Sequence, residues 1–271
     1  MLRIAALSNV GRCRNVNEDA ASIVDLATGW SVSGSNVQTG LRSDAAVIGV
    51  YDGTGHIAPE QAASHVAARI VCQQMLEPPR PVAGHELAQR LGEAVRVAAR
   101  EIVTDNERSR RGLGTTATLA AIAPGEVVVA HVGDSRAYLF RGGVLGQVSR
   151  DDTLLMIDLI DLDQGKMSAA EIEIFEHRNV VTRVLGYPHG EEPSITSLTP
   201  RAGDILLLCT DGISGMVDDA AIAALLRAQR DPEAICKALV EAAEQLGGPD
   251  NQTVAVASFD PENLAPEPPG R

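Results

Sequence analysis

The sequence predicts an α+β protein whose sheets and helices form separate layers of one domain. Apolar, β-branched runs follow one another in consecutive groups instead of alternating strictly with helices, which favours antiparallel sheets. Two pairs of amphipathic segments separate these groups and predict segregated helical layers. With 271 residues, 45% of them hydrophobic, the chain suits a single core. We expect one domain over residues 1–260 and a disordered, proline-rich tail over 261–271.

Short apolar runs mark the strands. Those predicted cover residues 45–51, 127–132, 137–140, 204–210 and 253–259. Residues 30–43 are rich in Ser, Gly, Asn and Thr, so this segment is predicted as a loop.

Four helices are predicted as two antiparallel pairs. They cover residues 59–76 with 86–103, and 218–228 with 231–246. Pro59 suits the first turn of its helix, and Asp231 followed by Pro232 is an N-cap with a first-turn proline. Gly247 and Gly248 mark the end of the last helix.

Composition narrows the function classes. The formal net charge of −13 argues against a nucleic-acid surface, which needs a basic face. The 4 cysteines form no C-x-x-C pair, so they indicate neither a zinc knuckle nor a disulfide framework. No apolar run approaches the ~18 residues of a membrane span, and the N-terminus does not read as a signal peptide. We expect a cytoplasmic monomer.

Aspartates recur at the ends of the predicted strands. Asp52, Asp134 and Asp211 each close an apolar run, and Asp250 immediately precedes the last strand. Buried strands of one sandwich would bring these carboxylates to a common rim, where like charges need cations to coexist. Oxygen ligands without His or Cys select Mg²⁺ or Mn²⁺ over Zn²⁺.

Each aspartate also has an ordinary explanation. Asp-Gly after a strand is a common turn signal, which applies to Asp52 and Asp211. Asp134 suits a hairpin turn, and Asp250 suits an Asx interaction in a turn. The joint pattern, rather than any single aspartate, therefore predicts the metal site.

A second charged segment lies near the N-terminus. Arg14 precedes the acidic pair Glu18 and Asp19. The arginine is suited to holding a phosphate with two hydrogen bonds, and the carboxylates would extend the acidic cluster. The competing interpretation is a solvated charged turn.

Other phosphate chemistries lack their motifs. The chain contains no G-x-x-x-x-G-K-[ST] loop, and no cysteine has an arginine six residues downstream. A sequence starting at Asp161 begins like a calcium loop, but Lys166 stands where that loop needs glycine.

Taken in order, the motifs resemble the type 2C, metal-dependent (PPM) family of serine/threonine protein phosphatases. The matching stretches are R-x-x-N-E-D at 14–19, the strand ending in Asp52-Gly53, GTTA at 114–117, GDSRAY at 133–138, VTRVLG at 181–186, TDG at 210–212 and DNQT at 250–253. They extend over nearly the whole chain. The resemblance implies a four-layer αββα sandwich, two antiparallel sheets flanked by antiparallel helix pairs.

The resemblance also implies residue roles. Asp52 would bridge two Mn²⁺ or Mg²⁺ ions, with the Gly53 carbonyl completing one of them. Asp211 and Asp250 would bind the first ion, and Arg14 would hold the substrate phosphate.

Three further acidic positions have implied roles. Glu18 and Asp19 would support the second ion through water, and Asp134 with Asp211 would hold the third ion known in bacterial members. Residues 153–178 would correspond to the variable flap.

Two departures from the family pattern stand out. The loop after Gly53 reads Thr54-Gly55-His56 and is one residue shorter than in many members, so His56 has two interpretations: a general acid, or a surface histidine. The common Asp-His after the central hairpin is Asp151-Asp152 here.

These observations predict a protein serine/threonine phosphatase that hydrolyses phosphoserine and phosphothreonine by attack of a metal-bridging hydroxide. Its partners would be phosphorylated proteins, among them a Ser/Thr kinase and the kinase's substrates. Two alternatives stay open: a catalytically silent binding module on the same fold, and an unrelated Mg²⁺-dependent phosphohydrolase for small molecules.

Overall fold

The computed structural model describes residues 2–54, 62–80, 84–153 and 180–259. In chain order the strands are β1 Leu2–Asn9, β2 Ala20–Asp25, β3 Ser31–Gly34, β4 Gln38–Ser43, β5 Ala46–Tyr51, β6 Gly53–Thr54, β7 Gly114–Thr115, β8 Ala117–Ala123, β9 Glu126–Val132, β10 Arg136–Arg141, β11 Val144–Gln147, β12 Ser194–Leu198, β13 Ile205–Cys209 and β14 Gln252–Ser258. The helices are α1 Ala63–Leu76, α2 Gly84–Ser109, α3 Asp211–Ser214, α4 Asp219–Ala228 and α5 Pro232–Gln245.

Two six-stranded antiparallel sheets form the centre of the molecule. One has the order β11-β10-β13-β14-β1-β4, and the other has the order β12-β9-β8-β5-β2-β3. Strands β6 and β7 form a separate two-stranded ribbon. The predicted α+β class and its antiparallel sheets are confirmed.

Alternating side chains of the central strands fill separate cores. On β13, Leu206 and Leu208 point into the core between the two sheets. Leu207 and Cys209 point into a second core, shared with α4 and α5. A strand that is buried on both faces reads as an unbroken apolar run, which explains the sequence ILLLC.

The helices cover the outer faces of the sandwich. Helices α1 and α2 pack on the sheet containing β5 and β8, with Val71 and Leu91 among their buried residues. Helices α4 and α5 cover the other sheet. The resulting order of layers is helix, sheet, sheet, helix, as the resemblance implies.

Side-chain capping sets the start of both C-terminal helices. Asp218 accepts a hydrogen bond from the Ala221 amide at 2.7 Å, and Asp231 accepts one from the Ala234 amide at 3.1 Å. Pro232 stands in the first turn of α5. The predicted starts at 218 and 231 are therefore confirmed to within one residue.

The predicted loop at 30–43 is wrong. It contains β3, which pairs with β2, and β4, which pairs with β1. Both strands lie at sheet edges, where one flank faces solvent and polar residues are tolerated. Pairing with a strand already in place overrides their weak local preference for extended structure.

Candidate metal centre

The topology brings the predicted acidic residues to one rim of the sandwich. Strands β5 and β9 both pair antiparallel with β8, so they run in the same direction and end at the same edge. In the other sheet, β13 ends beside the start of β14. Asp52, Asp134, Asp211 and Asp250 follow or precede these strand ends, so the predicted common rim exists.

Asp52 and Asp211 meet directly. Their side chains are close enough for each to alter the pKa of the other. Loss of hydration, followed by the negative charges of Asp19 and Asp211, raises the pKa of Asp52 well above its usual range. Loss of hydration also raises the pKa of Asp211, and the charge of Asp250 adds to that effect.

Thr116 of the GTTA motif holds Asp52 by both backbone groups. The Asp52 amide donates to Thr116 Oγ1 at 3.0 Å, and the Asp52 carbonyl accepts from the Thr116 amide at 2.9 Å. Thr116 Oγ1 also lies 2.7 Å from Ser135 Oγ. One hydroxyl therefore links the segment bearing Asp52 with the turn bearing Asp134.

Asp19 lies deeper than the other carboxyls and is 2% exposed. Its Oδ2 accepts a hydrogen bond from Thr210 Oγ1 at 2.9 Å, immediately before Asp211. Burial raises the pKa of Asp19 to about 8, against the opposing effect of the threonine hydrogen bonds. An acid so placed carries its negative charge at lower cost when a cation is near.

Glu18 and Gly53 are brought together through backbone contacts. Ser64 Oγ of α1 donates to the Glu18 carbonyl oxygen. A Cβ on Gly53 would lie 2.5 Å from that oxygen and 2.9 Å from Ser64 Oγ, so a side chain does not fit here. The glycine after Asp52 is thus required by close packing.

Arg14 contacts a predicted metal ligand. Its Nη2 donates to Asp250 Oδ2 at 2.8 Å, and the two side chains are 40% and 42% exposed. The Asp250 charge and hydrogen bond raise the pKa of Arg14. The arginine therefore stands at the edge of the acidic rim, with part of its surface open to solvent.

Asn251 is a site residue to which the sequence reasoning gave no role. Its amide nitrogen donates to the carbonyls of Val10 at 2.9 Å and Val16 at 3.0 Å, and its Oδ1 accepts from the Glu18 amide at 2.8 Å. One side chain thereby fixes the loop that carries Arg14. The signal was present in the DNQT motif, beside Asp250.

Asp134 occupies the turn between β9 and β10. Burial raises its pKa to about 7, and the charges of Asp211 and Asp151 contribute in the same direction. Asp134 is therefore electrostatically part of the same cluster as Asp211.

The donor set fits hard divalent cations, although it is not a preformed cage. Within the described ranges, no three His, Cys, Asp or Glu side chains are already arranged as a metal-binding group. Several mutually repelling carboxyls nevertheless share the rim, and their pKa values are raised. A bound cation would stabilise their ionised forms. All their donor atoms are oxygens, the ligands that Mg²⁺ and Mn²⁺ prefer.

Four predictions fall on residues that the structure does not describe. His56, Pro59 as a first-turn residue, nearly all of the predicted flap at 153–178 and the predicted tail at 261–271 lie outside the described residues. They stay predictions from the sequence. No helix of the described ranges is both long and apolar enough to cross a membrane.

Comparison with known proteins identifies the family. A family model described as protein phosphatase 2C matches residues 16–246, which is most of the 271-residue chain. The chain belongs to the protein phosphatase 2C family. The family resemblance seen in the sequence is thereby confirmed.

Two curated bacterial relatives show how far the similarity extends. The chain is 35% identical over 262 residues to the serine/threonine protein phosphatase PstP of Mycobacterium tuberculosis, covering 95% of this chain and 45% of that protein. It therefore spans less than half the length of this relative. Identity to the serine/threonine phosphatase stp of Listeria monocytogenes is 28% over 252 residues, covering 92% of this chain and 93% of that one.

A solved structure matches the fold. The catalytic domain of PstP in complex with 2 manganese ions superposes with a TM-score of 0.75 at 32% identity, covering 96% of this chain and 99% of that one. The four-layer sandwich is thus the architecture of a crystallised phosphatase domain.

Proposed function

We propose that this chain is a metal-dependent protein serine/threonine phosphatase that hydrolyses phosphoserine and phosphothreonine. The observation that carries the proposal is the acidic rim, with Arg14 beside Asp250, in a chain of the protein phosphatase 2C family. The names of the curated relatives support the substrate class, and the manganese complex of the PstP catalytic domain supports metal dependence.

The metal ligands we propose are those at the rim. Asp52, the Gly53 carbonyl, Asp211 and Asp250 would hold the two central ions, which are Mn²⁺ or Mg²⁺. Glu18 and Asp19 would hold the surrounding water, and Asp134 with Asp211 would hold a third ion. When bound, such cations neutralise phosphate charge and make water nucleophilic near neutral pH.

Arg14 has the phosphate-binding role in this proposal. Its guanidinium is always charged and presents several donors, so it can keep a hydrogen bond to Asp250 while others face a phosphate. Because each extra bond is charge-assisted, Arg14 would both orient the phosphate and offset its negative charge against the acidic rim.

His56 is proposed as a candidate proton donor to the leaving seryl oxygen, with a surface role as the alternative. His56→Ala should lower kcat on a phosphothreonine peptide by about 10²-fold or more if His56 is the acid. The p-nitrophenolate leaving group needs no proton, so p-nitrophenyl phosphate turnover should barely change. Equal effects on both substrates would exclude the proton-donor role, and unchanged turnover of both would favour the surface role.

The partners we propose are phosphorylated proteins, among them a kinase of opposite activity and its substrates. We also propose that the protein acts as a monomer in the cytoplasm. All 4 cysteines lie in the described ranges as free thiols, and Cys13 is exposed, which suits a reducing compartment.

The function is tested on protein stripped of metal with a chelator. Hydrolysis of p-nitrophenyl phosphate and of a phosphothreonine peptide should be absent until Mn²⁺ or Mg²⁺ is restored, because the nucleophile depends on the ion. Undiminished turnover in excess chelator would contradict the proposal.

The same assay separates the alternatives. Binding of phosphopeptide without turnover at saturating Mn²⁺ would identify a silent binding module. Turnover of sugar phosphates in preference to the phosphothreonine peptide would identify a small-molecule phosphohydrolase.

A further inference from the structure

The turn that presents Asp134 is tied to an acidic pair that has no role in the proposed catalysis so far. Asp152 contacts Gly133, the residue before Asp134, twice. The Gly133 amide donates to Asp152 Oδ2 at 3.0 Å, and the Asp152 amide donates to the Gly133 carbonyl at 2.7 Å. Side chain and backbone of one aspartate thus hold both hydrogen-bonding groups of one glycine.

Asp151 holds the other end of the same turn. Arg136 Nε lies 3.1 and 3.0 Å from the two Asp151 carboxylate oxygens, and Arg136 Nη2 lies 2.7 Å from Oδ2. This is a bidentate ion pair in which the Asp151 side chain is only 14% exposed. The turn from Gly133 to Arg136 is therefore held at each end by consecutive aspartates.

A third tie runs through a buried histidine. His131 Nε2 lies 3.0 Å from the Arg150 carbonyl oxygen, so it carries the proton that makes this hydrogen bond. His131 Nδ1 lies 2.9 Å from Thr118 Oγ1, which also lies 2.9 Å from the Ser135 carbonyl oxygen. The segment 150–152 is thus linked to the turn through the sheet as well as directly.

Arg183 of the VTRVLG motif balances the charge of Asp152. Its Nη1 lies 3.2 and 3.3 Å from the two Asp152 carboxylate oxygens, and the Asp152 side chain is 11% exposed. Thr182 adds two hydrogen bonds to the Asp152 carbonyl, at 2.8 Å from its amide and 3.0 Å from its hydroxyl. Asp152 would be a costly buried charge without this arginine.

Gly133 adopts a backbone conformation, packed closely on Thr116, that only glycine takes up readily. Its φ of 110° is one that side chains rarely adopt, and a Cβ would meet Thr116 Cγ2 at 2.6 Å. Thr116 in turn bonds to Ser135 and to the Asp52 amide. A shift of Gly133 would therefore move the adjacent Asp134 relative to Asp52.

We propose that Asp151 and Asp152, with Arg183, form a clamp that positions Asp134 against the Asp52 and Asp211 carboxyls and so sets the affinity for the third divalent cation. The clamp is the set of contacts from Asp151, Asp152 and Arg183 to the turn 133–136. This inference rests on the proposed function, because it treats Asp134 as a metal ligand. Residues that orient a ligand without touching the ion typically change metal affinity about 10- to 100-fold.

The test measures Mn²⁺ binding by isothermal titration calorimetry on the metal-stripped protein, so it needs no turnover. Asp152→Ala should weaken binding of the third Mn²⁺ about 10- to 100-fold and leave binding of the two central ions unchanged. Asp152→Asn keeps an oxygen acceptor for the Gly133 amide, so it should lose less affinity than Asp152→Ala. Arg183→Lys keeps the charge and should lose less than Arg183→Met.

A buried ion pair away from the acidic rim supplies a matched control. Asp204, which is 2% exposed, immediately precedes β13, whereas Asp211 follows the other end of that strand. Asp204 pairs with Arg141 at 2.6 Å. Asp204→Ala removes the same chemical group and should lower the melting temperature while leaving Mn²⁺ affinity unchanged. A parallel loss of affinity in this control would mean that the effect is general destabilisation, and would overturn the clamp.

A double-mutant cycle tests the route through Asp134. In the Asp134→Asn background, Asp152→Ala should have little further effect on Mn²⁺ affinity, because the ligand it positions is already gone. Independent, additive losses would overturn the clamp. So would wild-type affinity in a folded Asp152→Ala protein.

Kinetics distinguish failure of the clamp from failure of the proposed function. In Asp152→Ala, p-nitrophenyl phosphate turnover should need more Mn²⁺ for half-maximal rate and should largely recover at saturation. The clamp alone would be overturned if the wild-type protein binds Mn²⁺ and hydrolyses substrate, and the Asp152→Ala protein has the same Mn²⁺ affinity and the same Mn²⁺ requirement. A wild-type protein that binds no Mn²⁺ would overturn both.

Discussion

At the scale of single residues, the rim combines groups whose charges depend on one another. The pKa values of Asp52 and Asp211 are both raised, and Arg14 hydrogen-bonds to Asp250. A substitution in this set alters the electrostatic environment of its neighbours. Its effect on substrate binding and its effect on metal binding therefore have to be measured separately.

Arg14→Ala should mainly raise KM for a phosphopeptide, with kcat much less changed. The substitution removes a charge-assisted contact made in the ground state as well as in the transition state, which is worth about 1.5–3 kcal/mol. Steady-state kinetics at saturating Mn²⁺ measure this. Arg12→Ala is the matched control, since Arg12 is nearby, 62% exposed and paired only at 3.9 Å with Glu244. A wild-type KM in Arg14→Ala would contradict the phosphate-binding role and favour the interpretation of Arg14 as part of a solvated turn.

Asp52→Asn should damage turnover of p-nitrophenyl phosphate and of phosphothreonine peptide alike. The amide keeps the shape of the side chain but removes the charge that would hold two ions, whatever group departs. Parallel calorimetry should show weaker Mn²⁺ binding. Full activity together with retained Mn²⁺ affinity would contradict the central metal assignment.

At the scale of elements, the helices and the strand ends contribute to different properties of the protein. Helices α4 and α5 cover the sheet that carries Asp211 and Asp250, and the side chains that cap their starts bond to amides of the helices themselves. Strand ends place the ligands, and helices keep those strands buried. Stability and activity should therefore respond to different substitutions.

Asp218→Ala should lower the free energy of unfolding by about 1 kcal/mol, because the Ala221 amide loses its side-chain acceptor. Asp218→Asn should keep most of that stability, since asparagine is an equally good N-cap. Chemical denaturation measures both variants. Phosphatase activity per folded molecule should equal that of the wild type, and a loss of activity in Asp218→Asn would show that α4 also contributes to the site.

At the scale of the whole molecule, the acidic rim opposes folding in the absence of cations. The chain already carries a formal net charge of −13, and several carboxyls at the rim have raised pKa values. A group whose pKa is higher in the folded state contributes stability below its unfolded pKa, and that stability is lost as pH rises to the folded pKa. Divalent cations should reverse this loss by binding only the folded state.

Metal-stripped protein should therefore become less stable as pH rises from about 4 toward 8. The window follows from Asp19, whose pKa is raised from 3.8 to about 8, and Asp134, raised to about 7. The melting temperature should rise on addition of Mn²⁺ by more at pH 8 than at pH 6, because protons compete with the ion at the lower pH. Differential scanning fluorimetry measures both effects.

Asp19→Asn supplies the comparison for this pH dependence. It removes a titrating group that is 2% exposed while keeping a hydrogen-bond acceptor for Thr210. Its metal-stripped form should lose less stability than the wild type between pH 6 and pH 8. Identical pH profiles would mean that the loss arises elsewhere in the chain.

Local sequence determined the elements that depend on near neighbours. Short apolar runs predicted the central strands and capping residues predicted the starts of α4 and α5, because these signals act within a few residues of the chain. The strand-end aspartates followed from the same patterns, and their order along the chain matched the family. The prediction of a loop at 30–43 was wrong because β3 and β4 are extended only through pairing with β2 and β1.

Tertiary structure decided which of these residues meet. Strand β1 pairs with β14 from the opposite end of the chain, and this register brings Arg14 to Asp250 and Asn251 to the Glu18 amide. The hydrogen bonds of Asp152 to Gly133 and Arg183 also join residues that are distant along the chain. Long-range strand pairing depends on the free energy of packing the whole sandwich, which no local pattern in the sequence specifies.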